Sequence, residues 1–206
     1  PRWLSVILVP ATVGLIGMIL FAATIAATSP QSTLPRKAFL PLVMRHSTPS
    51  SVTYKTYGLD FSPYMNGQDP DLGSVVTEEQ LRARMAIVAP YAEWIRTFGC
   101  SNGLETAGRI GHEMNLKVAV GAWLGRDPAA NEREIDALIG LAQAGQVDMA
   151  VVGSEVLLRG DLSESQLIGY INRVKQGVPA GLPVTTADTY GQILAHPAVV
   201  SAVDVV

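Results

Sequence analysis

Apolar and polar positions fall into two regimes along the chain. Trp3–Ala27 reads WLSVILVPATVGLIGMILFAATIAA, and no charged residue occurs from Trp3 to Pro35. About 20 such residues suffice to cross a bilayer, and Pro10, Gly14 and Gly17 are tolerated in a membrane helix. The pattern predicts a transmembrane anchor over residues 1–28, in contact with the lipid bilayer, with Trp3 as an interfacial aromatic. A cleaved signal segment is the alternative, although a signal's apolar stretch usually runs only about 7–15 residues. Residues 29–56 are rich in Ser, Thr and Pro and read as an extracytoplasmic linker, interrupted by apolar Phe39–Met44.

From Tyr57 onward the periodicity changes. Strand-like runs occur at TYGLDFSP, WIRTFGC, KVAVGAWL, DMAVVGSEVLL, LPVTTADTY and VDVV. Between them, apolar residues recur at helical spacing: Leu81, Met85 and Val88; Leu104, Ala107 and Met114; Ile135, Leu138 and Ala142; Leu167, Ile171 and Val174. Thr77–Gln80 and Ser163–Gln166 read as capping boxes, and Asn131 with Glu134 as a third helix start. Gly145 and Gly177 are expected as left-handed helix caps. Strands alternating with helices predict an α/β fold with a buried parallel sheet. Two architectures fit: an independent doubly wound sheet, or the first five and a half units of a (β/α)8 TIM barrel, which typically needs about 250 residues. VDVV looks like the start of a sixth strand, so the chain is expected to be a fragment at both ends.

Charge sharpens the picture. The 206-residue chain carries net charge −3, but its first fifty residues hold Arg2, Arg36, Lys37 and Arg45 and no acid. The remainder has 11 basic and 18 acidic residues, net −7, which leaves no electrostatic footprint for nucleic acid. A lone Cys100 excludes an internal disulfide, and with only His46, His112 and His196 it suggests no structural zinc site. The glycine fingerprints of dinucleotide and phosphate loops are missing, as is Gly-x-Ser-x-Gly.

In parallel α/β folds, chemistry gathers at the carboxyl ends of the strands. Polar residues expected there are Asp60, Ser62, Tyr64, Arg96, Trp123, Ser154, Glu155, Thr186, Asp188 and Tyr190. Glu155 interrupts the apolar run MAVVGSEVLL. Burial there would raise its pKa and suit it to general acid work, or else it forms an ion pair with Arg96 or Arg159. Trp123 is either a sugar-stacking platform or a cap on the core; Asp188 either binds substrate or caps a turn. His112 reads as a solvated helix residue and Cys100 as a small buried one.

The segments YGLDFSPYMNGQDPDLG, WIRTFGCSNGLE, LKVAVGAWLGRDPAANEREIDALIGLA, VDMAVVGSEVLLRGDLSESQLIGYINRVK and PVTTADTYGQILAHP together resemble glycoside hydrolase family 17, in its bacterial branch of β-1,3-glucanases and β-1,3-glucanosyltransferases. The resemblance covers residues 57–206 and implies a partial (β/α)8 barrel that acts on β-1,3-glucan with retention and needs no metal or organic cofactor. It implies Glu155 as acid/base, with Tyr57 and Arg96 on the active-site floor and Trp123, Asp188 and Tyr190 near sugar subsites. Ser154 stands where the family carries Asn, which bonds the sugar 2-hydroxyl. The family's nucleophile, a Glu at strand seven, falls beyond Val206, so this chain alone is expected to be inactive. Loss of the family's Asn also raises the alternative of a non-catalytic glucan-binding module of the cell envelope.

Overall fold

A computed structural model describes residues 55–206. The expected anchor (1–28) and all but the last two residues of the expected linker (29–56) lie outside them. Among the described residues no helix is long and apolar enough to cross a membrane. Five parallel strands lie side by side in chain order: β1 (Thr56–Asp60), β2 (Ala92–Arg96), β3 (Lys117–Ala122), β4 (Met149–Ser154) and β5 (Val184–Ala187). The crossovers are α1 (Glu78–Val88), α2 (Ala107–Glu113), α3 (Pro128–Gln143) and α4 (Glu164–Gly177). Two short helices, α5 (Tyr190–Ala195) and α6 (Pro197–Ala202), follow β5.

This order separates the two architectures. A doubly wound sheet reverses its strand order at a switch point. Here each strand is added on the same side of the last, and right-handed crossovers then deliver every helix to one face. Leu81, Met85, Ile110, Ile135, Leu138, Leu167, Ile171 and Val174 pack there against Ile95, Val118, Val120 and Val152. Each of these eight helix residues is fully buried, which contributes about 1.5–3 kcal/mol per side chain. In-register neighbours share a face, so Arg96, Ala119 and Met149 line up on the other side of the sheet. The described part is a curled parallel sheet covered by helices on one face, a partial α/β barrel; the doubly wound alternative is discarded.

Several local expectations change. Helix α3 does not begin at Asn131: Asp127 caps it by accepting from the Ala129 N–H at 2.9 Å, and Pro128 occupies the first turn. Asn131 is buried inside the helix and exchanges hydrogen bonds with both the N–H and the carbonyl of Gly125, each at 2.8 Å. Ser163 forms the full capping box, whereas at Thr77 only the cap half forms, because Gln80 bonds the Pro63 carbonyl and Gln68. Gly145 is left-handed as expected. Gly177 is not; it ends α4 where an added Cβ would lie 2.8–3.1 Å from three carbons of Ile139. VDVV forms no sixth strand among the described residues, though the Asp204 N–H donates to the Val184 carbonyl at 2.8 Å.

Candidate active site

The end of β4 is built around a bulge. Val151 pairs with Thr185 and Ser154 with Ala187, so three steps on β4 match two on β5. Strand side chains alternate, and the extra residue returns Ser154 to the face of Val151 instead of its opposite. Gly153 makes the turn possible at φ 80°, where a Cβ would also lie 2.5 Å from the Val156 side chain. Arg96 Nη2 then donates to Ser154 Oγ at 2.9 Å, linking β2 to β4, and Arg96 Nε lies 3.6 Å from Asp60 of β1.

Glu155 comes next, at φ 52°, a left-handed conformation that costs a non-glycine residue of order 1–3 kcal/mol. Its N–H donates to the Ala187 carbonyl at 2.7 Å and its own carbonyl accepts from the Arg159 N–H at 2.9 Å. The side chain is exposed, so the burial expected of it is not present among the described residues: the bulge has already carried the chain out of the strand. Neither proposed ion pair forms, since Arg96 faces Asp60 and Arg159 binds Asp161 at 2.7 Å. Asp188 Oδ2 accepts from the N–H groups of Leu157 at 3.0 Å and Leu158 at 3.4 Å, capping the turn that follows Glu155.

Beside this turn, the carboxyl ends of β1, β2 and β3 open into a cleft of about 500 Å³ whose walls include Phe61, Tyr64, Phe98, Trp123 and Glu134. Burial, with a lesser push from the Glu134 charge, raises the Tyr64 hydroxyl above its ordinary value. Glu134 is buried in α3 and accepts from the N–H groups of Cys100 and Trp123, each at 3.0 Å, so one carboxylate fixes the loops after β2 and β3. Cys100 is itself buried against Glu134, and desolvation pushes its thiol far up, which removes it as a nucleophile. The Arg159 guanidinium lies 4.4 Å over the Trp123 ring. Glu155 does not itself line this cleft; the turn that carries it reaches the wall through Arg159 and Trp123. An aromatic wall of this kind suits a polyhydroxylated ligand, whose C–H faces stack while its hydroxyls meet polar groups.

Residues 58–206 match the BtgE/BtgC glycoside hydrolase domain. The chain belongs to this family of glycoside hydrolases. Two solved structures resemble it: the glycoside hydrolase family 17 β-1,3-glucanosyltransferase from Rhizomucor miehei, and an active-site mutant of a β-1,3-glucanosyltransferase from the same organism in complex with laminaritriose. Each is 30% identical with a TM-score of 0.60, over 74% of this chain and 55% of the solved one. The chain thus spans about half the length of these solved relatives. Comparison with curated proteins returned no match. The resemblance to family 17 carried by the sequence motifs is upheld.

Within the glycoside hydrolase domain, Arg96, Ser154 and Glu155 come together, with Asp188 supporting the turn beneath. Trp123 is half-exposed on the cleft wall. Tyr190 is 80% exposed at the first position of α5, and no hydrogen bond ties it to the other site residues. Tyr57 sits near the amino end of β1, 75% exposed and stacked on Trp94 at 6.4 Å, at the opposite end of the strand from Asp60. Tyr57 borders a second hollow together with Asp60, Arg96, Ala119 and Met149, while the aromatic residue that follows β1 into the cleft is Phe61. His112 is paired with Asp148 at 2.8 Å and plays no part in the site. Sequence reading missed Glu134 and Arg159 as organisers of the site. Glu134 left a signal, a carboxylate at helical spacing with Asn131, Ile135 and Leu138 on a buried face.

Proposed function

We propose that the intact protein is a retaining glycosidase or transglycosylase acting on β-1,3-glucan through a complete (β/α)8 barrel, with Glu155 as general acid/base. The observation that carries this reading is an exposed carboxyl, without an ion pair among the described residues, held in a left-handed conformation at the carboxyl end of β4 of a glycoside hydrolase domain. In the first step a second carboxylate, placed in the rest of the barrel about 5–5.5 Å away, bonds to the anomeric carbon. The glycosidic C–O bond breaks and Glu155 gives its proton to the departing oxygen. In the second step Glu155 takes a proton from an incoming O–H, whose oxygen displaces the carboxylate. Water as acceptor gives hydrolysis; a sugar hydroxyl gives transfer. Trp123 and the aromatic cleft supply glycosyl stacking, and Arg96 and Ser154 form the floor beneath Glu155.

The test uses the intact protein with laminari-oligosaccharides. Glu155→Gln, nearly isosteric but unable to exchange the proton, lowers kcat by about 10²–10⁴-fold, and the first product released by wild type is the β-anomer by proton NMR. An initial α-anomer, or full activity in Glu155→Gln, sinks the reading. A second reading is favoured by one observation: Ser154 is buried with its hydroxyl engaged by Arg96 and is shorter than Asn, which suits a glucan-binding module without catalysis. Binding unchanged by Glu155→Gln, with no cleavage by wild type, identifies that case.

A further inference from the structure

The peptide unit between Ser154 and Glu155 is fixed at both of its polar ends. Its N–H donates to the Ala187 carbonyl at 2.7 Å, and its carbonyl accepts from Arg159 Nη1. The same guanidinium donates through Nη2 to the Leu124 carbonyl at 2.7 Å and through Nε to Asp161 at 2.7 Å, and stacks on Trp123. Leu124 follows β3 and Ser154 ends β4, so one planar group spans two strand ends and carries the aromatic wall between them. Asp161 is bound in turn by Arg126 at 3.0 Å, which holds the fork from behind.

We infer that Arg159 is a positioning residue: through the Ser154 carbonyl and the Trp123 ring it sets the aim of the Glu155 carboxyl against the sugar platform. The inference rests on Glu155 being the acid/base. A left-handed glutamate persists only where its surroundings over-determine it, and Arg159 is the part of those surroundings that also fixes Trp123. Lysine cannot take the role, because an ammonium group lacks the planar fork that reaches two carbonyls and a carboxylate while stacking on a ring.

The experiment compares Arg159→Lys and Arg159→Ala with wild type in the intact protein on two substrates. A laminari-oligosaccharide needs a proton on its leaving oxygen; a dinitrophenyl β-laminaribioside does not. Misplacement by about 1 Å costs about 10²-fold, so kcat/KM for the oligosaccharide falls by that order in both variants while kcat/KM for dinitrophenol release, which reports only the first step, changes far less. Equal losses on the two substrates, or a lysine variant as active as wild type, overturn the inference. Hydrogen exchange gives a readout that needs no activity: the amides of Glu155 and Arg159 exchange faster in Arg159→Lys while those of α1 are unchanged. If wild type cleaves neither substrate, the functional reading fails separately, and unaltered exchange in Arg159→Lys overturns the positioning role by itself. Should the Arg159 variants not fold, Asp161→Asn removes the charge that Arg159 Nε and Arg126 share and leaves the two carbonyl bonds of Arg159 in place; it gives a smaller loss with the same substrate split, and no split overturns the inference.

Discussion

At the scale of single residues, the site depends on groups whose partners are mostly main chain. Arg159 binds the carbonyls of Ser154 and Leu124, Glu134 the N–H groups of Cys100 and Trp123, and Asp188 those of Leu157 and Leu158. A sequence marks a carboxylate in an apolar run, which is how Glu155 is found. It leaves no mark for a side chain that will meet a carbonyl brought close by folding, which is why Arg159 read only as a possible ion partner. The Asp161 carboxyl is held below the usual carboxylate range, chiefly by its hydrogen bond from Arg159. A depressed folded pKa contributes stability above the unfolded value, about 3.9 for Asp, and that contribution is lost as pH falls through the folded value. The stability gap between wild type and Asp161→Asn is therefore steady near neutral pH and closes below about pH 4. Urea midpoints across that range measure it, and a gap that ignores pH contradicts the assignment.

At the scale of elements, periodicity and capping chemistry place the strands and the four crossover helices, because burying one face imposes the pattern before any partner is known. Their ends are less legible. Asp127-Pro128 outcompetes Asn131 as a start for α3, and Asn131 becomes a buried strut to Gly125. Gly177 resembles a cap in sequence but serves close approach of α4 to Ile139 of α3. Alanine has the better helix propensity by about 1 kcal/mol, yet Gly177→Ala is expected to destabilise by about 1–3 kcal/mol from overpacking. Combining it with Ile139→Ala should cost less than the two single changes together. Denaturant unfolding of the four proteins closes the cycle; strict additivity means that the contact does not matter.

At the scale of the whole molecule, the strand order is what turns an α/β pattern into a partial barrel. Periodicity is the same in barrels and doubly wound sheets, since both bury parallel strands on two faces. Strand order is a long-range choice, and here Ser154, Glu155 and Trp123 meet at one rim only because β2, β3 and β4 are neighbours in that order. For residues 1–28 we propose a bilayer anchor that holds the enzyme outside the cytoplasm. Carbonate-washed membranes should retain the intact protein and release a form lacking residues 1–28. Release of both from washed membranes rules the anchor out.

The sequence by itself determined five strands and the four crossover helices, the α/β class, the family resemblance and the carboxylate at the end of the fourth strand, because local pattern and residue chemistry act over a few neighbouring positions. The tertiary structure decided the rest. It set the strand order, turned Ser154 by a bulge, left Glu155 exposed and without an ion pair among the described residues, brought Phe61 into the cleft, and clamped two strand ends with Arg159. Each of these depends on which backbone groups come within hydrogen-bond reach after distant segments pack, and no spacing along the chain encodes that.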